Sequence, residues 1–268
     1  MSNNSLLAGK VAVVTGASRG IGEAIAIRYA MEGARVIVSA RTLDDGDHVL
    51  EGSINSVVKR IQDMGGEAHA LRCDLAIEAH RENLIRETEA VFGPVDILVN
   101  NAAVTYFVPV EQFKKKHYDL MLEVQVYAPF HLVQLCLPGM IERKSGWILN
   151  ISSHAAIHPA KDTAGRGGTV YGMCKAALER FTTGLAAEVY EHGIGVNVIS
   201  PGLVATPGVV YHNLITDNTP KEMITPVEHM AEACLRLVHG DANDITGKIT
   251  YAVDVLKDYK LEPADLGS

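Results

Sequence analysis

Residues 10–22 read Lys10-Val-Ala-Val-Val-Thr15-Gly16-Ala-Ser-Arg-Gly20-Ile-Gly22, and the fold follows from this stretch. The four residues between Lys10 and Thr15 are apolar and mostly β-branched, the mark of a short strand buried on both faces, as in a parallel sheet. Glycines at 16, 20 and 22 then let the backbone turn sharply. Residues 23–32 carry a helix pattern that Gly33 ends, and residues 35–40, Arg-Val-Ile-Val-Ser-Ala, form a second strand. A strand, a glycine-rich turn, a helix and a strand within about thirty residues is the setting of a dinucleotide-binding turn. The glycines bring the backbone close to a pyrophosphate and aim a helix N-terminus at it.

Outward from this unit the alternation continues. Residues 50–64, 78–92, 111–140 (with Pro129 permitting a kink or break) and 171–191 read as helices, and shorter ones are expected within 206–216 and 226–239. Residues 67–73, 95–99, 146–151 and 195–199 read as strands, with a last one over 248–253. So regular an alternation predicts an α/β fold. It is a single-domain, Rossmann-type, doubly wound parallel sheet of about seven strands with helices on both faces. No repeat or linker divides residues 1–268; the core spans 8–252, and an acidic tail over 255–268 is expected to be loosely held. In such sheets ligands sit at the carboxyl ends of the strands. Gly16–Gly22, Arg41, Asp74, Asn101, Ser153 and Pro201-Gly202 all fall there.

Composition agrees and excludes other classes. The 268 residues are 47% hydrophobic and only 6% aromatic, enough for one large core. A net charge of −8 with no basic stripe argues against nucleic acid. Cys73, Cys136, Cys174 and Cys234 form no Cys-x-x-Cys pair, which points to a reducing compartment without a disulfide framework or zinc knuckle. No uncharged apolar run of about 18 residues and no signal-peptide pattern stand out, so no membrane partner and a cytoplasmic location are expected. No ligand spacing supports a metal.

Tyr171-Gly-Met-Cys-Lys175 places a phenol and an ammonium one helical turn apart. A cation about 4 Å from the phenol favours phenolate by roughly 4 kcal/mol at an effective dielectric of 20, enough to bring its pKa toward neutrality. Ser153, at the end of a strand, can hold a carbonyl or alcohol oxygen beside it. The set reads as a proton-transfer site for an alcohol/ketone pair.

Taken together, Thr15-Gly16-Ala-Ser-Arg-Gly20-Ile-Gly22, Asp74-Leu75, Asn100-Asn101-Ala102, Ile151-Ser152-Ser153, Tyr171-x-x-x-Lys175 and Pro201-Gly202 with Thr206 resemble the short-chain dehydrogenase/reductase family, in its order and over roughly residues 8–252. The resemblance implies hydride transfer between a nicotinamide cofactor and a small-molecule ketone or secondary alcohol. By position, Tyr171 is then the general acid/base and Ser153 orients the substrate oxygen. Lys175 lowers the phenol pKa and binds the nicotinamide ribose. Gly16, Ser18, Arg19, Gly20, Ile21 and Gly22 line the diphosphate and ribose, Asp74 and Leu75 flank adenine, and Asn101 packs beside the adjoining ribose. Pro201, Gly202, Val204 and Thr206 hold the carboxamide end. Ala40 stands where NAD enzymes of the family usually carry Asp, and Arg41 follows it; with Arg19 it suits a 2′-phosphate, so NADP(H) is favoured over NAD(H). Asp44, Asp45 and Asp47 would oppose this if their loop folded inward.

Four features depart from the family pattern. Gln125 stands at the usual asparagine of the central helix, and Ala103 follows Asn-Asn-Ala where glycine is usual. Ser153 and Tyr171 lie eighteen positions apart, a longer interval than usual, with the surplus in residues 158–168; His154 and His158 are read as surface histidines there. The segment Thr246–Asp254 lacks the family's Asp-Gly-Gly ending, which helps form a tetramer interface in relatives; a homo-oligomer, tetramer or dimer, is still expected. Val209, Val210, Tyr211, Leu214 and Ile215 make an apolar lid that suits a medium-sized hydrophobic ketone or alcohol. The alternative is a cofactor-binding regulator that has lost catalysis.

Overall fold

Val13 of strand β1 (Val11–Thr15) points to one side of the sheet, Ala12 and Val14 to the other, and all three are fully buried. The same split holds in β2 (Arg35–Ala40), where Ile37 faces opposite to Val36 and Val38. A continuous apolar run is thus what a strand covered on both faces requires. The computed structural model describes residues 5–162, 167–211, 215, 219–221 and 224–267.

In chain order the elements are β1, α1 (Gly20–Met31), β2, α2 (Ile54–Asp63), β3 (Glu67–Arg72), α3 (Glu78–Phe92), β4 (Ile97–Asn100), α4 (Lys115–Leu122), α5 (Ala128–Arg143), β5 (Gly146–Ile151), α6 (Thr169–Glu188), β6 (Ile194–Ser200), β7 (Leu203–Val204), α7 (Pro207–Tyr211), β8 (Ile224–Thr225), α8 (Val227–Arg236), β9 (Ile249–Tyr251) and α9 (Ala252–Tyr259). Seven strands pair in the order β3-β2-β1-β4-β5-β6-β9, every pair parallel, while β7 and β8 form a separate parallel ribbon. The chain steps outward from β1 to β3 and then returns to lay β4 against the other side of β1. The order therefore reverses between β1 and β4, where a crevice opens at the carboxyl ends. Apolar side chains of α1, α2 and α8 cover one face, and those of α3, α5 and α6 the other.

Two expectations are corrected. The long helix expected over 111–140 is present but starts later: a 3₁₀ turn at Val110–Gln112 precedes it, and it then runs on from α4 into α5 through a π turn at Glu123–Tyr127. Pro129 lacks an N–H for the Gln125 carbonyl four residues back, and the ladder shifts register, with Ala128 N–H reaching the Glu123 carbonyl. The last strand stops at Tyr251, and α9 follows directly. The tail is not loose: Leu266 is buried in the core, Arg60 donates to the Leu266 and Gly267 carbonyl oxygens at 2.9 and 2.8 Å, and Arg236 stacks 4.0 Å over the Tyr259 ring.

Residues 115–143 are long and apolar enough to cross a membrane by length and composition. The helix nonetheless packs against α3, α6 and the sheet, the arrangement of a core helix.

Candidate active site

At the carboxyl ends of the strands lies a cleft of about 830 Å³, within the roughly 300–1,000 Å³ of small-molecule and cofactor sites. Every residue singled out from the sequence for catalysis or cofactor binding lines it. The glycine-rich turn is held by β4. Asn101 Nδ2 donates to the Thr15 and Gly16 carbonyl oxygens at 2.9 and 3.2 Å, and Asn101 N–H donates to Thr15 Oγ1 at 3.0 Å. Asn101 is therefore a bolt on the turn as well as part of the cleft wall. Gly16 has φ +65, and a Cβ on Gly22 would lie 2.5 Å from Asn101 Nδ2 and collide with the Gly16 carbonyl. Glycine is required there by contact as well as by conformation. The side chain of Arg19, the N-cap of α1, makes no capping bond. The first amides of α1 thus remain available to an anion, which fits a diphosphate.

β2 ends in Ser39-Ala40 with no carboxylate. Arg19 reaches across the turn to the loop after β2, donating from Nε to the Glu51 carbonyl at 2.7 Å and from Nη2 to the Leu50 and Gly52 carbonyls at 3.1 and 2.8 Å. Burial and then the charge of nearby Arg41 lower the Arg19 pKa, and burial followed by both guanidiniums lowers that of His48. Arg41 is exposed. The loop presents His48, Val49 and Leu50 to the cleft, while Asp44, Asp45 and Asp47 do not line it; Asp44 is tied to Asn55 Nδ2 at 2.7 Å. Beyond β3, Asp74 accepts from Ala76 N–H at 3.0 Å, and Leu75 is buried beside it.

β5 delivers Ser153, and the first two turns of α6 carry Tyr171 and Lys175. Ser153 Oγ accepts from Ala155 N–H at 3.2 Å and bonds the Tyr171 phenol. Among the described residues, no hydrogen bond joins the Lys175 ammonium to the Tyr171 phenol. Lys175 Nζ donates to the Ile151 carbonyl at 2.8 Å and lies 5.7 Å from the Tyr171 ring centroid. Burial accordingly wins over charge: it pushes the phenol pKa up, opposed by the Ser153 hydrogen bond, and it pushes Lys175 down to about 8.

Residues that the sequence left unmarked complete the walls. Tyr106 and Phe107 line the substrate end, with Phe107 edge-on to Tyr171 at 5.8 Å and Tyr106 stacked on His117 at 3.9 Å. Glu179 accepts from Ser152 Oγ at 2.7 Å, one turn beyond Lys175. The spacing from Lys175 to Glu179 was visible, but its partner was not. Val209 and Tyr211 line the cleft, Val210 is exposed, and Leu214 lies outside the described residues. In the lengthened segment, His154 is exposed and stacks on Tyr251 at 4.5 Å, His158 is exposed, and residues 163–166 lie outside the described residues.

Comparison with known proteins places these features in company. The family model described as short chain dehydrogenase matches residues 10–214. The 7alpha-hydroxysteroid dehydrogenase of Escherichia coli (strain K12) is 34% identical over 260 residues, covering 92% of this chain and 94% of that enzyme. A crystal structure of a hydroxysteroid dehydrogenase from Escherichia coli superposes with a TM-score of 0.79 at 33% identity, over 94% of this chain and 98% of that one. A 3-oxoacyl (acyl-carrier-protein) reductase from Agrobacterium tumefaciens C58 with NADP bound gives 0.80 at 29% identity, over 92% and 94%.

Proposed function

The chain belongs to the short-chain dehydrogenase family, and on that premise we propose that it is an NADP(H)-dependent oxidoreductase acting on a ketone/secondary alcohol pair. One observation carries this reading: Ser153, Tyr171 and Lys175 meet in the same cleft as an open helix N-terminus and a glycine turn built for close backbone approach. A bound nicotinamide supplies hydride donation or acceptance. The rest falls to the chain. Ser153 fixes the substrate oxygen against the phenol, and Tyr171 gives it a proton in reduction or takes one from the hydroxyl in oxidation. Lys175, fixed to β5, holds a donor toward the cofactor ribose.

NADP(H) over NAD(H) is supported by the absence of a carboxylate at the end of β2, by Arg19 and Arg41 lying close enough to repel, and by aspartates that turn away from the cleft. Tyr106, Phe107, Val209 and Tyr211 favour a hydrophobic substrate, a class consistent with the steroid named for the Escherichia coli relative. The test is the change in cofactor absorbance with a panel of hydrophobic ketones and alcohols, for the native protein and for Tyr171→Phe. Turnover is expected with NADPH and its near-complete loss in the variant. Activity surviving Tyr171→Phe would overturn the assignment.

A further inference from the structure

The π turn Glu123–Tyr127 sends two side chains to different segments that line the cleft. Gln125, 1% exposed, donates from Nε2 to the Val104 carbonyl at 2.8 Å, in the loop that also bears Tyr106 and Phe107. Glu123 accepts from Arg81 Nη1 at 2.6 Å, and the same nitrogen donates to the Leu75 carbonyl, on the wall where adenine is read. Arg81 Nε donates to His131 Nδ1 at 3.0 Å, and the guanidinium lies 5.0 Å from the Tyr127 ring centroid.

Arg81 is fully buried, yet among the described residues its Nη2 has no hydrogen-bond partner; the Glu78 carboxylate is 3.9 Å away. A buried guanidinium with an orphaned nitrogen is an inefficient way to join helices. An apolar side chain of similar volume is often neutral or stabilising in such a place. Among the described residues, the one hydrogen-bond partner of the Arg81 side chain outside the helical segments is the Leu75 carbonyl. Glu78, Glu82 and His131 bring ligand-type atoms within 4.8 Å of one another, but this is not a convincing metal nest. With Nδ1 accepting from Arg81, a neutral His131 carries its proton on the other nitrogen and offers no lone pair.

We propose that Arg81 is a positioning residue for the adenine-side wall: braced by Glu123 of the π turn and by His131, it fixes Leu75 through its carbonyl so that the slot for the adenosine half of the cofactor is formed in advance. This rests on the dinucleotide reading above. The π turn then ties both walls to one helix, with Gln125 holding the Val104 side.

The experiment titrates full-length native protein, Arg81→Lys, Arg81→Met and Glu123→Gln with NADPH and, separately, with adenosine 2′,5′-bisphosphate. Arg81→Met and Glu123→Gln are expected to raise Kd for both ligands by a common factor of about tenfold, the scale of one lost charge-assisted hydrogen bond. Arg81→Lys should lose less, and the loss should lie in Kd, with kcat at saturating NADPH within roughly twofold of native. If Arg81→Met does not fold, Glu123→Gln and Arg81→Lys decide. Unchanged Kd for the bisphosphate in folded variants, with native protein binding it, overturns this role alone, as does a loss confined to kcat. Native protein that binds neither ligand, nor NADH in the same titration, overturns the dinucleotide reading and this role with it.

Discussion

Lys175 donates to the Ile151 carbonyl at 2.8 Å, so its ammonium is anchored to β5 and stands 5.7 Å from the centroid of the Tyr171 ring. Among the described residues, one neutral carbonyl is the only hydrogen-bond partner of a side chain that is 3% exposed, and burial lowers its pKa from 10.5 to about 8.

This has a consequence for stability. Because the folded pKa lies below the unfolded one, the unfolded chain binds more protons between pH 8 and 10.5, and stability rises with pH through that window. Below it the buried charge costs the fold about 3 kcal/mol. In cofactor-free protein, thermal melts of Lys175→Met against native should show a difference that favours the variant at pH 7 and shrinks toward pH 10. A pH-independent difference would remove the buried-ammonium account.

Gly22 sits against the Gly16 carbonyl and Asn101 Nδ2. Gly22→Ala overpacks this contact and should cost about 1–3 kcal/mol. It should also displace the turn from its diphosphate, weakening dinucleotide binding more than it lowers Tm. Calorimetry and a cofactor titration check the two effects together; native affinity in the variant would show that the turn accommodates the methyl.

Glu179 accepts from Ser152 Oγ at 2.7 Å, next to Ser153. Glu179→Ala leaves the buried Ser152 hydroxyl without its partner and should lower kcat with little change in cofactor Kd, while Glu179→Gln, which can still accept, should recover most of the loss. Equal losses in both variants would point to the charge rather than the hydrogen bond.

Arg41 is exposed and within reach of Arg19's charge. Arg41→Ala should raise Kd for NADPH about tenfold or more and leave NADH nearly unaffected, since only the former carries a 2′-phosphate. Parallel titrations with the two cofactors decide this. A common loss for both would assign Arg41 to adenine stacking instead.

The local signals were strong and were met. Wholly apolar β-branched runs became strands buried on both faces. Gly16, Gly20 and Gly22 made the turn, and the spacing of Tyr171 and Lys175 put both into one cleft with Ser153. These depend on neighbours within a few residues, whose spacing along the chain specifies period and turn. What lay hidden depends on partners far apart in sequence. The anchoring of Lys175 by Ile151, the capture of the tail by Arg60, and the brace from Arg81 through Glu123 and His131 to Leu75 are long-range polar contacts. A buried polar group takes whichever partner packing brings within reach, and no pattern along the chain encodes that choice. The sequence by itself therefore determined the sheet, the glycine turn and the meeting of Ser153, Tyr171 and Lys175 in one cleft. Only the tertiary structure decided that burial, rather than the lysine's charge, governs the Tyr171 phenol, because there the geometry of a single hydrogen bond sets the balance.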